Sequence, residues 1–178
     1  MVNSASHNST TPKFMLQVNG QTHELTYEDA FVHGYNLTRE GNLVRAEKIF
    51  GALCGVSDRG PRARIMLARC HAQRLDFQKS RSTLEETFVA NPRLAAGLHE
   101  AFVFERFGMR KDAEQELVPI ANDHRELPTI CLLLGDLFAG DRKLDKAQQC
   151  WKLAVRRDRP DGAIGLLARR ALGRVTAG

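Results

Sequence analysis

The histidines and cysteines are the residues of this chain best suited to chemistry, and none stands in a pattern that would perform any. His33, His71, His99 and His124 occur singly, with no HExxH and no Cys/His pair at ligand spacing. Cys54, Cys70, Cys131 and Cys150 lie 16, 61 and 19 residues apart, without a CxxC. Each falls on or beside an apolar helical stripe, where a free thiol behaves as a small hydrophobe, and such thiols suit a reducing compartment. No serine sits in GxSxG, and neither GxGxxG nor GxxxxGK[ST] occurs. Glu85 and Glu86 are adjacent, so on a helix their side chains diverge by roughly a quarter turn and do not face a common substrate. These observations predict a protein that is not an enzyme, with no metal and no cofactor. What remains is binding chemistry, from apolar side chains that can bury against a partner and arginines that can hold carbonyls or acidic groups.

The elements that position those side chains are legible from a repeat. With Pro128 as position 1, Leu134 stands at 7, Gly135 at 8, Phe138 at 11, Ala147 at 20, Trp151 at 24 and Ala154 at 27, and Pro160 closes the unit. Upstream, a start at Leu94 puts Ala101 at 8, Phe104 at 11, Gly108 at 15, Ala113 at 20 and Leu117 at 24. A start at Pro61 puts Ala68 at 8, His71 at 11, Ser80 at 20 and Leu84 at 24. A start at Tyr27 puts Gly34 at 8, Leu37 at 11, Gly41 at 15, Ala46 at 20 and Phe50 at 24. The starts 27, 61, 94 and 128 are 34, 33 and 34 residues apart. Small residues at 8 and 20 suit the close crossing of two helices, large ones at 7, 11 and 24 fill the space beside it, and His71 replaces the aromatic at 11 as a packed residue rather than a ligand. This pattern resembles the tetratricopeptide repeat. It implies an all-α right-handed solenoid of four helical hairpins, 27–60, 61–93, 94–127 and 128–160, because one hairpin cannot bury its own apolar face.

Punctuation predicts helices at 27–39, 43–55, 61–74, 77–90, 94–107, 110–123, 128–139 and 143–157. Residues 161–178 form a capping helix, about 161–174, and tail. Its Ile164, Leu167, Ala168, Ala171 and Leu172 face the stack, and Arg169, Arg170 and Arg174 lie elsewhere. Residues 1–13 are a polar tail expected to be disordered, and 14–25, around Asn19-Gly20, read as a short hairpin or an extended segment. The formal charge is +5, and the last 27 residues carry all of it, seven basic against two acidic side chains. An alternative function follows, binding of an acidic surface or nucleic acid through this basic end. No aromatic residues are interleaved there to stack on bases, which weighs against nucleic acid. The N-terminus has neither a basic nor an apolar signal region and no apolar run reaches membrane length, so a cytoplasmic location without a membrane span is the default expectation.

The resemblance to tetratricopeptide proteins implies a concave groove lined by positions 2, 5, 6, 9, 12 and 13. Among the residues there, the expected peptide-binding set is Phe31, Val32, Tyr35 and Arg39, then Arg62, Ile65, Met66 and Arg69. Leu98, His99, Phe102 and Arg106 follow, with Leu132, Leu133 and Asp136 last. Where repeats that clamp acidic chaperone tails carry Lys at 5 and Asn at 9 of the first unit, this chain has Phe31 and Tyr35, so that use is not expected. Gly34 to Asp58 is similar to the first repeat of the class II type III secretion chaperones, small bacterial tetratricopeptide proteins that hold hydrophobic clients in the cytoplasm. The similarity rests on Gly34 and Gly41, Ala46-Glu47, Phe50, Leu53-Cys54 and Asp58. The expected function is a non-enzymatic protein–protein interaction module, an adaptor or secretion-type chaperone that takes an apolar segment of a protein ligand. The floor is either open or covered by residues 14–25 or by a second copy, and the last of these favours a weak homodimer.

Overall fold

The computed structural model describes residues 14–18, 21–56 and 59–176, and the expected 1–13 tail and the Asn19-Gly20 turn lie outside them. Two strands, β1 (Phe14–Val18) and β2 (Gln21–Leu25), pair antiparallel from Phe14↔Leu25 to Val18↔Gln21. Nine helices follow among the described residues. They are α1 (Tyr27–Arg39), α2 (Leu43–Leu53), α3 (Gly60–Gln73), α4 (Phe77–Thr87), α5 (Pro92–Arg106), α6 (Arg110–Asp123), α7 (Pro128–Gly140), α8 (Leu144–Arg157) and α9 (Ala163–Thr176).

Local chemistry accounts for the helix starts. Thr26, Asp76 and Asn91 accept from the backbone N–H groups of Asp29, Lys79 and Leu94 at 3.2, 3.2 and 3.1 Å, satisfying donors that have no partner inside the helix. Pro61, Pro92 and Pro128 stand in the first turns of α3, α5 and α7, where a missing N–H costs nothing and φ is already helical. Pro92 also explains a difference from expectation. Because Asn91 caps α5, that helix begins at Pro92 rather than 94, and α4 ends at Thr87 rather than 90.

The ends of α1, α3, α5 and α7 repeat one motif. Asn42, Asp76, Met109 and Lys143 donate their N–H groups to the carbonyls of Leu37, His71, Phe104 and Phe138 at 2.8–2.9 Å. The residue before each donor, Gly41, Leu75, Gly108 and Arg142, has φ of 79, 66, 74 and 59°. This is the Schellman closure, in which a left-handed residue turns the chain so that the last carbonyls are satisfied. The same period therefore appears in the backbone as in the sequence.

The two helices of each hairpin, α1 and α2, α3 and α4, α5 and α6, α7 and α8, pack through the small residues. Ala68 and Ala101 are fully buried, as are Ala46, Ser80, Ala113 and Ala147 on the facing helices, and Phe50, Leu84, Leu117 and Trp151 fill the space beside them. Gly34 lies where an added Cβ would meet Phe50 at 3.0 Å. Consecutive helices pack throughout, and α1 also touches α3, and α3 touches α5.

The remaining contacts close the stack. α9 packs on α8 as a cap would, but it also packs on α7 and on α1. It begins at Ala163 rather than 161, after a turn in which Gly162 donates to Arg159 O at 3.0 Å. Its N-terminal N–H groups are capped by side chains from elsewhere: Ala163 donates to Glu28 Oε2 at 2.5 Å and Gly165 to Asp158 Oδ2 at 2.8 Å. Asp158 also accepts from Arg62 at 2.5 Å, and Glu28 from Arg59 at 2.9 Å. The β-hairpin packs against α1, where Phe14 meets the Tyr27 ring edge-on, centroids 6.3 Å apart. Through α9 the last hairpin thus meets the first helix.

Candidate functional site

The apolar residues expected on the groove floor lie in the core. Phe31, Ile65, Met66, Leu98 and Leu132 are fully buried, Phe102 nearly so, and Val32 and Leu133 are below a tenth exposed. They form one cluster with Ile164, Leu167, Ala168 and Ala171 of α9. The expectation of an exposed floor is corrected accordingly, and the physical reason is that so many apolar side chains gain roughly 1.5–3 kcal/mol each from full burial, which the helices supply by packing into one cluster within the chain.

The polar members separate into three places. Arg62 sits at the end where α9 begins, tied to Asp158, whose side chain is fully buried. His99 lies between α4 and α5 with Nδ1 3.3 Å from Ser80 Oγ, and burial lowers its pKa. His71 is buried with Nδ1 3.7 Å from Glu47, and burial lowers its pKa as well, so neutral imidazoles pack these crossings at pH 7. The others, Tyr35, Arg39, Arg69, Arg106 and Asp136, gather at the opposite end, where α1, α3, α5 and α7 finish.

A buried network organises that end. Tyr35 Oη donates to Asp136 Oδ2, and Trp151 Nε1 donates to Asp136 Oδ1 at 3.3 Å. Arg69 forks onto Glu105, Nε to Oε2 at 2.9 Å and Nη2 to Oε1. Burial pushes the Asp136 carboxyl above the usual range against the donors around it. Burial acts upward on Glu105 too, but the charge and hydrogen bonds of Arg69 hold its pKa below normal. Burial and the neighbouring Asp136 charge push the Tyr35 phenol well up, so it remains a neutral donor.

Two cavities open beside this network. One of about 390 Å³ is lined by Arg39, Arg69, Asp136, Trp151, Ala171 and Arg174 among others. The second, of about 530 Å³, shares Asp136 and Gly140 with it and adds Glu105, Arg106 and Arg110. Arg110 is spent on the α7 terminus, donating to Gly140 O at 2.5 Å and Asp141 Oδ1 at 3.0 Å. Trp151, Glu105 and Arg174 were not in the expected binding set. Trp151 reads as a core residue at position 24, and nothing local in the sequence brings the end of α9 to the ends of α1 and α7.

The four cysteines are free, and burial pushes their thiols up, Cys150 to about 11, which makes them poor nucleophiles at neutral pH. Among the described residues no group of three His, Cys, Asp or Glu could hold a metal ion, and no helix is long and apolar enough to cross a membrane. Comparison with protein-family models, curated proteins and solved structures finds no match to the chain.

Proposed function

We propose that the protein is a non-enzymatic binding module of the tetratricopeptide type, an adaptor or secretion-type chaperone, whose inner helices, α1, α3, α5 and α7, take an amphipathic segment of a protein partner. The place for that segment is the one α9 holds in this conformation. One observation carries this: beside its packing on α8, α9 also packs on α1 and α7, with Ala163, Ile164, Leu167, Ala168 and Ala171 buried while Arg169 and Arg170 stay in water. Its register is set by polar contacts at one end, Glu28 to Ala163 and Arg62 through Asp158 to Gly165. A partner helix with a small apolar face would satisfy the same surface. Binding then requires α9 to leave, so apparent affinity is reduced by the fraction of molecules in which it has left.

The experiment uses the full chain. A fluorescent peptide of residues 161–176 is titrated against the wild type and against a Glu28→Gln, Asp158→Asn variant in which the contacts at the start of α9 are weakened. The peptide should bind the variant at least tenfold more tightly than the wild type, with a scrambled peptide binding neither. Equal binding of native and scrambled peptides, or none to the variant while its helical spectrum is intact, would show that the inner face takes no ligand.

A further inference from the structure

We propose that the cavity lined by Arg39, Arg69 and Arg174 is a binding site for a phosphate group, free or carried as a monoester on a small molecule. The inference rests on the cavity alone and is independent of whether the inner face takes a peptide.

Three arginines from three helices, α1, α3 and α9, line this space with one carboxylate, Asp136; Arg69 is buried, and Arg39 and Arg174 are exposed. Arg69 has Nε and Nη2 committed to Glu105. Arg39 and Arg174 form no ion pair or hydrogen bond among the described residues. Arg59, Arg62, Arg74, Arg81 and Arg110, by contrast, are each paired with a carboxylate. Both Arg39 and Arg174 occupy the last turn of their helices, where the carbonyl end favours a cation. That term is met by a side chain in water, however, and does not require two such residues from opposite ends of the chain to line one cavity.

Glu105 offsets the charge of Arg69, and Asp136, on which Arg39 and Arg69 both act, offsets part of the rest. The Asp136 oxygens already accept from Tyr35 and Trp151. The positive charge that remains suits an anion, and several guanidiniums around one centre suit a group with three terminal oxygens better than a planar carboxylate with two. The remaining walls, Ala139, Gly140, Ala171 and Val175, are small and apolar. A volume of about 390 Å³ admits a phosphate with a short organic chain. Charge and shape thus identify the group and limit the size of its carrier, while no polar wall remains to select among carriers.

Trp151 supplies the readout, because it is the single tryptophan and it lines the cavity. Inorganic phosphate, glycerol 3-phosphate and acetate are titrated separately at constant ionic strength, following its fluorescence. Both phosphates should give a saturable change and acetate none. Arg39→Ala and Arg174→Ala should each weaken the phosphate response at least tenfold, while Arg81→Ala, which removes an exposed pair with Glu85 on α4, should leave it unchanged. Tighter binding of the ester identifies a small molecule as the carrier and tighter binding of the free ion identifies phosphate itself; either supports the site. If neither phosphate gives a saturable change, if acetate matches them, or if affinity is unaltered in both arginine variants with helicity intact, the proposal is overturned.

Discussion

Gly135 and Trp151 show how little slack the helix crossings leave. A Cβ on residue 135 would overlap Nε1 and Cδ1 of Trp151, so the indole would have to move and would lose its hydrogen bond to Asp136. Overpacking of this kind destabilises by about 1–3 kcal/mol, more than the roughly 1 kcal/mol that alanine gains over glycine as a helix former. Gly135→Ala should therefore lower the thermal midpoint by several degrees and alter the tryptophan emission. Gly51 is the control: it stands on the exposed face of α2, where an added Cβ would meet nothing within 4 Å, and Gly51→Ala should raise the midpoint. A rise for Gly135→Ala would mean that the crossing is looser than its geometry. At this scale the small residues at positions 8 and 20 were legible because sterics alone demands them. The role of Phe31, Met66 or Phe102 was not, since an apolar side chain reads the same whether it waits for a partner or packs against its own chain.

At the scale of elements, the four Schellman turns set up a second comparison. Two hold glycine at the left-handed position, whereas Leu75 and Arg142 carry side chains at φ of 66 and 59°, a conformation that costs an L-residue about 1–2 kcal/mol. Leu75 is half exposed and contributes little packing. Leu75→Gly should stabilise the fold by about 0.5–1 kcal/mol once the greater entropy of glycine in the unfolded chain is subtracted. Chemical denaturation would measure it, and a loss of stability would show that the exposed leucine packs more than its exposure indicates. The helix boundaries were readable because caps, prolines and turn residues are local signals. The seat of α9 was not. Its amphipathic pattern states that one face must be buried, but Glu28 and Ala163 are 135 residues apart, and no local signal names the surface that covers the face.

That closure changes what is expected of the whole molecule. An open stack of hairpins has only nearest-neighbour contacts, so its ends can fray while the middle holds. Here the contact of α9 with α1 joins the ends, and four charged groups, Glu28, Arg59, Arg62 and Asp158, lie across the seam. The first hairpin cannot detach without separating Glu28 from Ala163, and the last cannot detach without leaving the fully buried side chain of Asp158 without Arg62. Breaking such a buried pair costs about 3–5 kcal/mol. The chain should therefore unfold in a single transition, with the calorimetric enthalpy equal to the van't Hoff enthalpy. In the Glu28→Gln, Asp158→Asn variant the seam is weakened while the hairpins keep their own crossings, so the transition should broaden or divide. Light scattering adds a second readout. With the apolar side chains of its expected floor buried within the chain, the wild type should run at the mass of one chain, 19.9 kDa, whereas a loosened seam exposes apolar surface and should raise the mass with concentration. A wild type that melts in resolved stages would mean that α9 rests on α1 without coupling the first hairpin to the last.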